Sequence, residues 1–174
     1  MVVVVGGVAG SGKTTVGKLL AGRLGWRFAD ADAFHPPANV AKMRAGIPLT
    51  DEDRWPWLRA ISSWISERIT AGDSAVVTCS ALKREYREFL LAGRPAVRMV
   101  FLTVSPGADE ARLEHRPGHF FGAGLRASQF ADLELPQDTE PVLVVSADGP
   151  ADRTVTEIIR RLRLDSPAAL DLAP

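Results

Sequence analysis

Residues 7 to 14 read Gly7-Val-Ala-Gly10-Ser11-Gly12-Lys13-Thr14, which satisfies the spacing G-x-x-x-x-G-K-[ST] in full. Glycines at these positions let backbone N–H groups turn inward around an anion. A helix beginning at Lys13 adds partial positive charge. The chemistry this predicts is a grip on the phosphates of a nucleotide, made by Gly7, Ala9, Gly10, Ser11, Gly12, Lys13, Thr14 and Thr15. Lys13 can reach the outer phosphates, and the Thr14 hydroxyl offers an oxygen to Mg²⁺. An apolar run precedes the motif and an amphipathic stretch follows it, which separates it from a glycine-rich turn with an incidental lysine.

A second group of polar residues, Asp30-Ala31-Asp32 and then His35, follows the next apolar run. Acids there face the γ-phosphate region, where they can orient an acceptor hydroxyl or hold Mg²⁺ through water, from Asp30 or Asp32. The competing role is turn formation or capping of the next helix, and it is an equal contender for Asp30. No guanine-reading Asn-Lys-x-Asp occurs, and Val76-Val77-Thr78-Cys79-Ser80 ends in no carboxylate. Switch GTPases and motor-type ATPases are therefore disfavoured, and a small-molecule kinase is expected.

The elements that must position these groups alternate. Val2–Val5 is a β-branched run suited to a strand buried on both faces. A helix follows over residues 13–24 with Gly25 as its stop, then a strand from Trp26 to Asp30. Pro36-Pro37 starts a short helix through Arg44, and Asp51 opens a longer one ending at Gly72. Strands are expected at Ser74–Cys79, Val97–Val104 and Val142–Val145. Helices are expected at Lys83–Ala92, Asp109–Arg116 and Asp152–Leu164. Such alternation implies right-handed crossovers and a five-stranded parallel sheet with helices on both faces, an α/β fold that binds ligands at the carboxyl ends of its strands.

Composition bounds the function further. With 174 residues, one domain over 1–164 is expected, followed by a poorly ordered Ala/Pro/Asp tail over 165–174. Lys and Arg total 21 and so do Asp and Glu, so bulk charge draws the chain neither to nucleic acid nor to an anionic membrane. No stretch approaches the roughly 18 apolar residues of a membrane span. The lone Cys79 can form no intramolecular disulfide and reads as a small buried residue, consistent with a reducing, cytoplasmic setting.

Beyond the phosphate motif, several blocks occur in order: Asp30-Ala-Asp32-Ala-Phe-His35-Pro36, Asn39-Val-Ala-Lys42-Met43, and Gly46-Ile-Pro48-Leu49-Thr-Asp51-Glu-Asp53-Arg54. Pro56-Trp57-Leu58, Cys79-Ser80-Ala81-Leu82-Lys83-Arg84-Glu-Tyr86-Arg87, Arg116-Pro-Gly118-His119-Phe120-Phe121 and Ser128-Gln129-Phe130 continue the series. Over about residues 4–160 the chain resembles the gluconokinases, members of the shikimate-kinase-like group of nucleoside-monophosphate-kinase folds. The resemblance implies a three-layer α/β/α P-loop kinase with a mobile lid over about 112–130. It also implies transfer of the ATP γ-phosphoryl to the 6-hydroxyl of D-gluconate with Mg²⁺, and a homodimer. Runner-up readings are a kinase for another small sugar acid or shikimate-like substrate, and a nucleotide-binding regulatory module without turnover.

Within that resemblance, Lys13, Asp32 and Arg116 are the candidate catalytic residues. Asp32 would orient the attacking hydroxyl, since positioning dominates a loose phosphoryl-transfer transition state. Gluconate carries a carboxylate and a row of hydroxyls, so its site needs a cation and polar groups. Arg54 offers a planar fork for the carboxylate, with Asp32, His35, Lys83 and His119 as further substrate contacts. The competing reading makes Asp51 and Asp53 helix caps and Arg54 a solvated flank. Arg112 and Arg116, four apart, share a helical face. In the lid, Arg116 would meet the transferred phosphate, Arg112 would pack near adenine, and Phe120 and Phe121 would exclude water. Ser146-Ala-Asp148-Gly-Pro150 follows the last strand, where related kinases offer backbone groups to adenine. The chain departs from the family pattern at Ala31, where glycine is usual, and at Pro117, where a basic residue is common.

Overall fold

Four consecutive valines, Val2 to Val5, are wholly buried, and they set the middle of the molecule. In a strand, successive side chains point to opposite faces, so an all-apolar run needs cover on both. The computed structural model describes residues 1–105 and 123–165 and supplies that cover. Strand β1 (Val2–Gly6) lies at the centre of a five-stranded sheet ordered β2-β3-β1-β4-β5, with every pairing parallel. The others are β2 (Arg27–Asp30), β3 (Ala75–Thr78), β4 (Val97–Thr103) and β5 (Val142–Ser146).

Helix α1 (Lys13–Leu24) follows β1, and α2 (Pro37–Arg44) and α3 (Asp51–Thr70) fill the passage from β2 to β3. Helix α4 (Arg84–Leu91) joins β3 to β4, α5 (Ala123–Ala131) precedes β5, and α6 (Ala151–Leu162) follows it. Val2 and Val4 meet Leu58, Ile61 and Ile65 of α3 and Tyr86 and Leu90 of α4. Val3 and Val5 meet Val16 and Leu20 of α1 and Val155 and Ile158 of α6. The two halves of one alternating strand thus nucleate two separate cores, which gives the three layers. Among the described residues no helix is long and apolar enough to cross a membrane.

Helix α3 starts where its sequence dictates. The Thr50 hydroxyl accepts the Asp53 N–H, and the Asp53 carboxylate accepts the Thr50 N–H, a reciprocal cap. Every expected strand, and every expected helix that falls within the described residues, is found, with ends shifted by a residue or two. Two elements were not expected: a 3₁₀ turn at Ala31–Phe34 and helix α5. Residues 123–130, in the second half of the expected lid, belong to α5, with Leu125 buried. The expected helix Asp109–Arg116, the side chains Arg112, Arg116, His119, Phe120 and Phe121, and tail residues 166–174 lie outside the described residues.

Candidate active site

The carboxyl ends of β1, β2 and β3 share one edge of the sheet, and a cavity of about 350 Å³ opens there. Its floor is the loop between β1 and α1. At Gly7 φ is +135°, and a Cβ would stand 2.6 Å from Ser11 Oγ and 2.7 Å from Leu102 O, so only glycine fits. Gly12, with φ of 93°, forms the N-cap of α1 without a side chain, and no acid stands in the first turn. The helix therefore presents its unpaired N–H groups and positive end to the cavity.

Ala9, Gly10, Gly12, Lys13, Thr14 and Thr15 line the cavity as expected. Gly7 and Ser11 do not. Gly7 shapes the loop from behind, while buried Ser11 gives its N–H to Val8 O at 3.2 Å, and its Oγ has no partner among the described residues. Lys13 Nζ donates to Val8 O at 2.8 Å, folding the lysine over the loop it serves.

Past β2, Asp30 carries the positioning role that its turn context allowed. One oxygen accepts the Asp32 N–H at 3.2 Å and caps the 3₁₀ turn; the other accepts the Thr14 hydroxyl at 3.0 Å. The single residue thus orients both the acid two positions on and the phosphate-loop threonine. Asp32 is exposed and lines the cavity. Ala31, the residue that departs from the family pattern, is buried, and its carbonyl accepts the Trp57 indole N–H at 2.7 Å.

His35 also lines the cavity, stacked on Trp57 with ring centroids 4.4 Å apart. Burial, with Arg54 adding to it, pushes its pKa down to about 4. The ring is neutral at pH 7 and so serves as a polar contact, without the positive charge a carboxylate seeks. The Asn39 amide, which also donates to Asp53 O at 2.8 Å, lies 3.4 Å from His35 Nδ1. With Nδ1 as acceptor, the neutral ring carries its proton on Nε2.

Arg54 is no solvated flank. It lines the cavity with its side chain only 12% exposed, and Nη2 meets Asp132 Oδ2 at 2.6 Å. Nη1 lies 3.6 Å from Asp51 Oδ1 and 3.5 Å from the Tyr86 hydroxyl. Lys83, by contrast, is not among the cavity-lining residues; both Asp51 oxygens accept from its ammonium at 2.7 Å. That hydrogen bond, with a second from the Tyr86 hydroxyl, holds the Asp51 carboxyl below the usual carboxylate range. Asp53, as the capping reading allowed, completes the helix cap and binds Lys42 at 2.7 Å.

Sequence reasoning assigned no role to Asp132, Gln129 or Arg44. Arg44 and Gln129 line the cavity, and the Ala9 N–H of the phosphate loop donates to Gln129 Oε1 at 2.8 Å. The run Ser128-Gln129-Phe130 was the available signal, since a motif so far along the chain needs a reason to match. Asp148, by contrast, accepts from the Ser105 N–H at 2.7 Å and from the Ser105 and Ser146 hydroxyls, so its side chain ties the end of β5 to the residues after β4. Cys79 lines the cavity as a buried thiol, pushed up to about 12 by burial, and is no nucleophile at neutral pH.

A shikimate kinase family model matches residues 9–163. The gluconokinase of Gluconobacter oxydans (strain 621H) is 50% identical over 162 residues, 93% of this chain and 91% of that one. A crystal structure of a gluconokinase from Sinorhizobium meliloti 1021 superposes with a TM-score of 0.79 at 39% identity, covering 94% of this chain and 96% of that one. A sugar kinase from Janibacter sp. HTCC2649 gives 0.88 at 45%, covering 97% and 96%. Relatives at these identities span nearly the whole length, and the chain belongs to the gluconokinase family, a branch of the shikimate-kinase type of ATP-using P-loop kinases.

Proposed function

We propose that this chain transfers the γ-phosphoryl group of ATP to the 6-hydroxyl of D-gluconate, giving 6-phosphogluconate and ADP. The observation that carries this reading is a single cavity lined by the phosphate loop, by Asp32 and by the guanidinium-bearing Arg54. The loop and the N-terminus of α1 hold the phosphates, with Lys13 at their outer end. Arg54 takes the substrate carboxylate, and His35 offers an Nε2–H to a hydroxyl. Asp32 accepts a hydrogen bond from the attacking hydroxyl and aims its oxygen at phosphorus. As that oxygen bonds to phosphorus, the bond from phosphorus to the leaving ADP oxygen breaks, and the hydroxyl proton passes to Asp32.

The donors near the phosphates are hard oxygens, the Thr14 hydroxyl and the Asp30 carboxylate 3.0 Å apart. Among the described residues no three His, Cys, Asp or Glu side chains cluster. That set suits Mg²⁺, which keeps water and substrate phosphates as most of its ligands. Thr14 would hold it directly and Asp30 or Asp32 through water, and when bound it neutralises charge on the phosphates. Arg116 at the transferred phosphoryl, Arg112 beside adenine and His119 at the substrate complete the reading by family resemblance, as do a single kinase domain over residues 1–164 and a cytoplasmic homodimer. Light scattering on the purified chain checks the dimer.

The deciding measurement is ADP release under saturating ATP and Mg²⁺ with a panel of sugar acids. Gluconate-dependent release, with 6-phosphogluconate recovered as product, is expected. Release that prefers another acid, or none at all, overturns the assignment.

A further inference from the structure

Gln129 and Asp132 are three residues apart, the spacing that brings side chains onto one helical face. Asp132 lies one residue past α5, yet its N–H donates to Ser128 O at 3.0 Å, so it continues the last turn and moves with it. From this one face, Gln129 accepts the Ala9 N–H of the phosphate loop at 2.8 Å, and Asp132 meets Arg54 at 2.6 Å. One short helix end therefore engages both of the groups that the proposed reaction assigns to its two anionic ligands.

The electrostatics of the second contact are decisive. Arg54 and Lys83 face Asp51 and Asp132, two cations against two anions, so the cluster is balanced before any substrate arrives. Asp132 engages Nη2, the nitrogen shared by both two-point faces of the guanidinium fork. An incoming carboxylate would add an uncompensated negative charge to a side chain only 12% exposed, unless Asp132 yields its place.

We propose that Asp132 is a positioning residue that stands in for the substrate carboxylate on Arg54, and that Gln129 links its displacement to the phosphate loop. The inference rests on the assignment of Arg54 to gluconate. Substrate binding must first release Asp132, so the measured affinity is lowered by the fraction of molecules in which Arg54 is released. Release moves the end of α5 and with it Gln129, freeing the Ala9 N–H for a phosphate oxygen. Nucleotide and gluconate then favour the same α5 position, and each tightens the other's binding by an equal factor.

The test is calorimetric titration of gluconate into the full chain, with and without a non-hydrolysable ATP analogue and Mg²⁺, alongside steady-state kinetics. In the wild type the analogue is expected to tighten gluconate binding about five- to tenfold. Asp132→Asn should lower the gluconate Kd and KM by about the same factor and abolish the effect of the analogue, while Asp132→Glu restores both. Gln129→Ala removes a contact made only in the Asp132-engaged position, so it should tighten gluconate binding in the same direction as Asp132→Asn and by no larger a factor, and remove the coupling. An unchanged or raised gluconate KM in Asp132→Asn overturns the proposal, and so does a wild type without coupling, a result that requires no variant to fold. A wild type that releases no ADP with gluconate instead overturns the activity assignment and this inference with it.

Discussion

Arg87→Met tests the structural support of the active site. The Arg87 side chain is 0% exposed and its partner Glu140 only 3%. Two guanidinium N–H groups reach the Glu140 carboxylate at 2.7 and 2.9 Å, and the fork also donates to Leu82 O and Glu134 O at 2.8 Å and to Ala81 O at 3.3 Å. Methionine fills much of the volume but leaves the buried Glu140 carboxylate without its cation, with only the Gln137 N–H at 3.0 Å. It also removes a donor from the Ala81, Leu82 and Glu134 carbonyls, of which Leu82 O keeps the Glu134 N–H at 3.0 Å. Breaking a buried pair from one side costs about 3–5 kcal/mol. At about 2–4 °C per kcal/mol for a chain of this size, the melting point should fall by roughly 6–20 °C. Urea unfolding across pH identifies the cause. In the wild type, Arg87 holds the Glu140 carboxyl below its ordinary value, so its contribution is present above the unfolded pKa and is lost as pH falls through the folded one. In the variant, the burial that raises Glu140 is opposed only by the Gln137 N–H and the charge of Arg84, so the deficit should shrink as pH is lowered toward the carboxylate range. Arg87→Met/Glu140→Leu should recover part of the loss, the carbonyls that Arg87 served still lacking its donors. A deficit below about 1 kcal/mol, or one that stays constant with pH, refutes the reasoning.

Three further outcomes are expected. Asp32→Asn should cut kcat by about 10²–10⁴-fold while ATP affinity, measured by titration, stays within a few-fold; near-normal turnover contradicts the hydroxyl-orienting role. Arg54→Gln should raise KM for gluconate by about 10²-fold or more and leave KM for ATP nearly unchanged, which initial-rate kinetics in both substrates will show. His35 has a folded pKa of about 4, below its unfolded value near 6.5, so the unfolded chain binds the extra proton between these pH values and stability falls as pH drops through that window. His35→Gln should remove one proton's worth of that slope from the urea midpoints, and an unaltered slope would show that the ring titrates normally in the fold.

The legible parts of this molecule are those where local chemistry leaves one solution. Four valines in a row can only be a doubly covered strand, and glycine spacing before Lys13 can only serve a backbone that turns around an anion. The acids after β2 were equally visible, but the division of labour between them was not. Both line the cavity, and that Asp30 anchors Thr14 and caps the turn while Asp32 stands exposed beyond it depends on φ and ψ over a 3₁₀ turn, which no residue type announces. Arg54 was found as a cation of the right shape. Its counter-ion was not, because Asp132 lies 78 positions away and reaches it through the placement of α5. Helix α5 itself was hidden by Gly122 and Gly124, which read as loop formers, although Leu125 is buried against the body of the protein. The partner of Lys83 was hidden for the complementary reason: a lysine in a family block looks like a substrate contact, and nothing in the sequence pairs it with Asp51, 32 positions away, which holds its ammonium.

The acids surrounding Arg54 explain how a kinase for an anionic substrate can keep a cation in a half-buried wall. An unpaired guanidinium there would be costly in the free enzyme, and it would bind any passing anion, inorganic phosphate included. A balanced cluster removes both problems but makes every ligand compete with carboxylates already in place. A monodentate anion such as chloride cannot match the two-point hold of a carboxylate on the fork, so it gains least from displacing Asp132, whereas phosphate can match that hold and is disfavoured only by lacking the hydroxyl contacts of a sugar acid. On the proposed assignment, selectivity for a sugar acid would come from two sources at once: the hydroxyl contacts offered by Asp32 and His35, and the resident carboxylate that weaker anions fail to move. Zero net charge over 21 cations and 21 anions is compatible with binding two anionic ligands, because around Arg54 and Lys83 balance is kept locally, by Asp51 and Asp132.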